Sequence, residues 1–204
     1  MASSPTRASP AGHGEAAGHL RNVLGALAVA ATDLLTEDAQ ADGFHPAEHA
    51  AIILAGTVDG LSQEDLQRRL GLSQPGTTRL VDRLAGRGLL TRAPGPDRRT
   101  NALRLTPAGA REAECALARR HELLGPLIAG LDEAEQQAAA DLIGRMLATL
   151  VRAGRSPWRI CRECDQAACA AGQCQCPVEA TRRQLPDSGQ LRPGSAGTAP
   201  AGAV

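Results

Sequence analysis

Lysine and tyrosine are absent from this 204-residue chain, and Phe44 and Trp158 are its only Phe and Trp. So few rings exclude the aromatic platforms on which single-stranded nucleic acids stack, and every positive charge outside histidine rests on arginine. No stretch approaches the run of about 18 apolar residues that a membrane helix needs. The opening MASSPTRASPAGHG also lacks the apolar core of a secretion signal, so a cytoplasmic protein is expected. Catalytic signatures are missing as well. There is no Gly-x-Ser-x-Gly turn and no glycine-rich phosphate loop after a strand. His13, His19, His45, His49 and His121 read as scattered rather than as a ligand set. An enzyme is not expected.

The net charge is zero, with 22 basic and 22 acidic residues, but it is unevenly spread. Residues 61–106 hold nine arginines against four acidic residues, a net +5, whereas residues 1–60 sum to −5 and residues 107–152 to −2. Positive potential gathered in one segment suits a phosphate backbone.

That segment reads LSQEDLQRRLGLSQPGTTRLVDRLAGRGLLTRAPGPDRRTNALRLT. Ser62 can cap a short helix carrying Leu66 and Leu70, with Glu64 and Asp65 where the helix dipole favours negative charge. Gly71 permits a left-handed turn, Leu72 buries it, and Ser73 caps a second helix with Pro75 in its first turn. Leu80, Val81 and Leu84 recur at helical spacing and face a core, which leaves Gln74, Gly76, Thr77, Thr78, Arg79 and Arg83 on or near the other side. Two helices joined by a short glycine turn form a helix-turn-helix, whose second helix enters the major groove. LLTRA and TNALRLT then flank a Pro/Gly turn with a charged tip, the pattern of a β-hairpin wing.

At these residues the chain resembles the MarR family of winged-helix transcriptional regulators. The likeness is carried by LSQEDLQRRLGLSQPGTTRLVDRLAGRGLL, by Asp97-Arg98-Arg99 at the wing tip and by LRLTPAG, and with its flanks it covers roughly residues 19–152. It implies a mainly α fold: a winged helix-turn-helix with a small β-hairpin wing and flanking dimerisation helices. It also implies a homodimeric, sequence-specific regulator, a repressor, on a pseudo-palindromic operator in double-stranded DNA. The expected DNA-binding residues are Ser73, Gln74, Thr77, Thr78, Arg79 and Arg83, with Asp97, Arg98 and Arg99 in the wing; Asp97 and Arg99 match the family's Asp-x-Arg pair.

Around this module, residues 1–18 are poor in large apolar side chains and are expected to be disordered. Residues 19–39 place Leu20, Val23, Leu24, Leu27, Leu34 and Leu35 along one helix face, and the resemblance assigns that helix to dimerisation. His45-Pro46 opens a core helix. Thr106-Pro107 opens another, expected to kink or break at Pro126, with Cys115 read as a small buried side chain. From Asp132 a last long helix carries Leu142, Ile143, Met146, Leu147, Leu150 and Val151.

The second informative stretch spans residues 153–180, where Cys161, Cys164, Cys169 and Cys176 stand as C-x2-C-x4-C-x6-C-P, with Cys174 extra. In a reducing compartment clustered thiols read as metal ligands or redox groups rather than as a disulfide frame. Four thiolates suit tetrahedral zinc, and a run ending in Cys-Pro also suits an iron–sulfur cluster. The spacing leaves both open, with thiol–disulfide switching as a third course. The expected signal is thus metal or redox, or a small-molecule effector between helices. The alternative is a metal or iron–sulfur protein whose winged helix serves only protein contacts. Residues 181–204 return to Pro, Gly, Ser and Ala and are expected to be disordered.

Overall fold

A computed structural model describes residues 15–94, 101–170 and 176–185. The helices are α1 (Glu15–Ala41), α2 (Pro46–Thr57), α3 (Gln63–Leu70), α4 (Gln74–Gly86), α5 (Pro107–Ile128) and α6 (Glu133–Arg152), then three short ones, α7 (Pro157–Ile160), α8 (Gln166–Ala170) and α9 (Pro177–Gln184). Between α4 and α5 lie β1 (Leu90–Pro94) and β2 (Asn101–Leu105), antiparallel, with Leu90 opposite Leu105 and Pro94 opposite Asn101. This is the expected mainly α winged helix.

Local signals set most boundaries. Ser62 accepts the Asp65 amide at 3.0 Å and Ser73 the Gly76 amide at 3.2 Å, so each satisfies an N–H with no partner inside its helix. Gly71 adopts φ +68, the left-handed conformation that closes α3. His45 and Glu48 form a capping box at the start of α2, and Asp132 and Glu135 form another at α6.

The core of the helix-turn-helix and wing is aliphatic. Ile52 and Leu54 of α2, Leu61, Leu66 of α3, Leu80, Val81 and Leu84 of α4, and Leu103 of β2 are fully enclosed. Burying each such side chain is worth roughly 1.5–3 kcal/mol, so the module is held by its centre. Thr106 fastens the wing to α5. Its hydroxyl donates to the Gly88 carbonyl at 2.6 Å and accepts the Gly109 amide at 3.0 Å. A Cβ on Gly109 would lie 1.9 Å from the Leu89 carbonyl oxygen, so only glycine allows this approach.

Four expectations are corrected. Helix α1 begins at Glu15, so residues 15–18 are helical; Ala16 and Ala17 have high helix propensity and support a helix without bulky side chains. Helix α5 continues through Pro126 to Ile128, since a proline this close to the end removes only one late hydrogen bond. Cys115 is exposed, because the buried stripe of α5 runs through Gly109, Ala113 and Ala116 and misses it. Residues 181–184 belong to α9, whose Val178 and Thr181 are buried. Residues 1–14 and 186–204 lie outside the described residues. No described helix is long and apolar enough to cross a membrane.

Candidate nucleic-acid interface and the cysteine cavity

Helix α4 presents two faces. Thr77, Leu80, Val81 and Leu84 point inward at helical spacing, and Ser73, Gln74, Arg79 and Arg83 are exposed. Thr77 corrects the expectation that placed it at the DNA-facing surface: its exposure is 0%, and its hydroxyl donates to the Ser73 carbonyl at 3.0 Å. The physical reason is register. Thr77 stands three residues before Leu80 and four before Val81, so the helix that buries those two buries it as well.

The remaining polar face is partly pre-ordered. Thr78, half-buried, donates to the Gln74 carbonyl at 3.1 Å and accepts from Gln63 Nε2 at 2.9 Å. Arg79 Nε donates to the Pro75 carbonyl at 3.3 Å and the side chain remains open to solvent. Arg83 Nε donates to Glu48 Oε1 at 2.8 Å. No acidic residue occupies the first turn of α4, so the positive end of its dipole is free to meet an anion.

Burial works to raise the pKa of Glu48, but the Arg83 hydrogen bond, the His45 amide and the charges of Arg83 and Arg87 outweigh it. They hold this carboxyl below the ordinary value. Arg87, at the end of α4, lies over the Phe44 ring at 3.6 Å and donates to the Gly43 carbonyl at 3.1 Å. On β1, Arg92 pairs with Asp82 at 2.6 Å. Asp97, Arg98 and Arg99 of the wing tip lie outside the described residues.

Two residues of α3 escaped the sequence reading. Gln63 reaches α4 as above, and Arg69 is buried with its guanidinium 4.4 Å from the centre of the Trp158 ring. Nothing local to QRRL marks one arginine as buried; the partner lies 89 positions away.

Among the histidines, His45 and His49 do have an i, i+4 spacing. The structure separates their roles. His45 caps α2 by accepting the Ala47 amide on Nδ1, while His49 is buried and its ring centre lies 4.8 Å from that of Phe44.

The cysteines converge. Cys161, Cys164, Cys169 and Cys176 all line one cavity of about 640 Å³, together with Trp158 and Arg69. The backbone explains the placement. Cys161 closes α7 with its amide on the Pro157 carbonyl, a turn brings the Cys164 amide to the Cys161 carbonyl at 3.2 Å, and Cys176 stands at the start of α9. The Cys161 thiol donates to Cys164, which with the nearby Arg120 charge outweighs burial and lowers Cys164 to about 7; the same contact and burial push Cys161 up. Burial and the neighbouring sulfurs raise Cys169. The four expected ligands therefore share one wall, although among the described residues no three Cys, His, Asp or Glu already stand as a metal-holding group. Cys174 lies outside the described residues.

A further cavity, of about 590 Å³, opens between α2, β2 and α5 and is lined by Gly56, Leu105 and Leu117 among others.

Residues 42–100 match the MarR family. A curated relative, the "Uncharacterized HTH-type transcriptional regulator YdgJ" of Bacillus subtilis (strain 168), is 27% identical over 89 residues, 43% of this chain and 54% of its own. The chain thus spans about half the length of that relative. A MarR family protein from Bacillus stearothermophilus superposes with a TM-score of 0.59 at 20% identity, covering 66% of this chain and 94% of its own. A Staphylococcus aureus MepR–DNA complex superposes with a TM-score of 0.52 at 19% identity, covering 64% and 97%. The chain is thus similar to the MarR family over residues 42–100, and it shares the winged-helix fold of these solved structures, built on the helices whose caps and core are described above.

Proposed function

We propose that this protein is a homodimeric transcriptional regulator that binds double-stranded DNA at a pseudo-palindromic operator and acts as a repressor. The observation that carries the reading is the divided face of α4. An enclosed underside fixes the helix, and Gln74, Arg79 and Arg83 stand on its exposed side, with Thr78 half-buried at its edge. Arginine and glutamine match the donor and acceptor pattern of guanine and adenine edges in the major groove, and threonine can serve several bases. Asp97, Arg98 and Arg99 complete the proposed interface from the wing, Asp97 orienting an arginine toward the minor groove or phosphate. A solved MepR–DNA complex of the same fold supports this use of the scaffold.

Dimerisation is supported by apolar faces that the single chain leaves uncovered. Leu20, Val23, Leu24 and Leu27 of α1, Leu127 and Ile128 at the end of α5, and Leu142, Ile143 and Leu150 of α6 are exposed. Contiguous apolar surface on long helices is the usual mark of a partner, and two-fold symmetry places two reading heads on two half-sites. A dimer covering its operator blocks access to the promoter, which is how repression would arise. The cavity between α2, β2 and α5 is a place where a small-molecule effector could bias the spacing of those heads.

The test is selection of duplexes from a random library by the full-length protein, followed by footprinting of the enriched sequence. Two half-sites about one helical turn apart are expected. Recovery of no preferred duplex at low salt defeats the reading.

A further inference from the structure

The cysteine segment reaches the helix-turn-helix directly. Trp158 of α7 lies against the buried Arg69 of α3 at 4.4 Å, and Arg182 of α9 approaches the same ring at 5.5 Å. Arg159 covers the turn itself: a Cβ on Gly71 would fall 2.7 Å from its guanidinium carbon. On the other side the segment is fastened to α5, with Arg120 pairing to Glu163 at 3.4 Å and His121 Nε2 at 3.8 Å from Asp165. It is fastened to α6 as well, where Gly144 leaves room for Pro177. The four thiols line the cavity that Trp158 and Arg69 close.

Such a wall has the chemistry of a soft-metal site. Four thiolates around a dication, or around an iron–sulfur core of the same charge, leave a net charge near −2. Arg69 stands in the wall to offset part of it and Arg120 lies beside Cys164, while Arg183, also in the wall, is already paired with Glu179 at 2.8 Å. Among the described residues no three ligands stand as a group that could hold one ion, so loading must draw the sulfurs that line the cavity closer together. As the site closes, each protonated thiol gives its proton to solvent while a metal–sulfur bond forms. Cys161 directly follows α7, and α7 bears on α3, so closure is mechanically joined to the reading head.

We propose that Cys161, Cys164, Cys169 and Cys176 hold a thiolate-ligated metal centre, and that its loading sets DNA affinity by fixing α7, through Trp158 and Arg159, against the helix-turn-helix. The regulatory half rests on the DNA-binding reading above; the metal half does not. Occupancy can act on DNA only if the loaded and stripped states differ in affinity, since a ligand held equally by both shifts nothing.

The experiment uses full-length protein purified without oxygen from metal-replete cells, assayed for zinc, iron and acid-labile sulfide. Tryptophan emission and the Kd for a library-selected duplex are read before and after chelation. One centre per chain is expected, either zinc without sulfide or iron with sulfide, and the metal and sulfide assays tell the two apart. Trp158, the only tryptophan, should change its emission when the centre is removed. The Kd should move by about tenfold or more. Replacing Cys161 and Cys169 by Ser should abolish loading, whereas Arg159→Ala, outside the cavity wall, should keep the metal and lose much of the change in Kd. Absence of stoichiometric metal from native protein that still binds DNA overturns the site. Metal with no DNA binding in either state supports the site and sinks the DNA reading, and metal with an identical Kd in both states overturns the coupling.

Discussion

Glu48 Oε1 accepts a hydrogen bond from Arg83 Nε at 2.8 Å, while its Oε2 receives the His45 amide at 2.8 Å. One buried carboxylate thereby closes the capping box of α2 and ties down α4, the second helix of the helix-turn-helix. Glu48→Ala removes both contacts. A lost cap costs about 1 kcal/mol and a lost hydrogen bond between charged groups up to about 3, reduced here because Arg83 is largely exposed; a total of about 1–3 kcal/mol is expected by urea unfolding. Because the Glu48 carboxyl is held below its ordinary value in the folded chain, its contribution is present above that value, roughly 4.3, and is lost as pH falls through the lower folded one. Wild-type stability should therefore drop more steeply than that of Glu48→Ala on acidification below about pH 4.5. Parallel curves would contradict the assignment.

His49 acts in a higher window. Burial first, and the Arg119 charge second, hold its imidazole below the ordinary value against the opposing pull of Glu112, Asp38 and Asp42. Its Nε2 has no hydrogen-bond partner among the described residues. A histidine that charges more readily unfolded than folded destabilises the fold as pH drops below about 6.5. Stability should fall between pH 7 and 5 in the wild type and less so in His49→Phe. Equal slopes in the two proteins would remove His49 from the account.

Arg79 and Thr77 should separate reading from folding. Arg79→Ala is expected to cost about 1–3 kcal/mol in operator affinity and to relax preference at one base, with little change in stability. Thr77→Arg places a charge in the enclosed core and should unfold the module. Footprinting and thermal melts of the two variants check this, and a stable, DNA-competent Thr77→Arg protein would refute the buried register.

For the wing, the resemblance and the local charge give the expectation. Replacing Arg98 and Arg99 together by Ala should reduce the slope of log K against log salt by about two. An unchanged slope rules out phosphate contacts there.

The dimer should depend on α6. Leu150→Asp puts a charge on a face that is 44% exposed at this residue in the single chain, so the monomer should fold while the dimer weakens. Sedimentation at micromolar concentration should show dissociation and operator affinity should fall with it. A native protein that sediments as a monomer defeats the proposal outright.

What the sequence determined by itself was local. Ser62, Ser73, Thr106 and Asp132 each satisfy amides three residues ahead, Gly71 turns left-handed, and the 3.6-residue period places Leu80 and Leu84 inside; all depend on neighbours within about one helical turn. The spacing of the four cysteines likewise allowed them to share a site. Tertiary structure decided what distance in sequence conceals. It brought Glu48 to Arg83, Gln63 to Thr78 and Trp158 to Arg69. Thr77 was legible in the register it shares with Leu80 and Val81, whereas an arginine in a charged helix carries no local sign of burial, because its burial depends on which distant element packs over it. The docking of α7 on α3 is of the same kind: residues 157–160 are too short a helix to signal a face, and only the packed chain shows that Arg69 of α3 stands in the wall of the cysteine cavity.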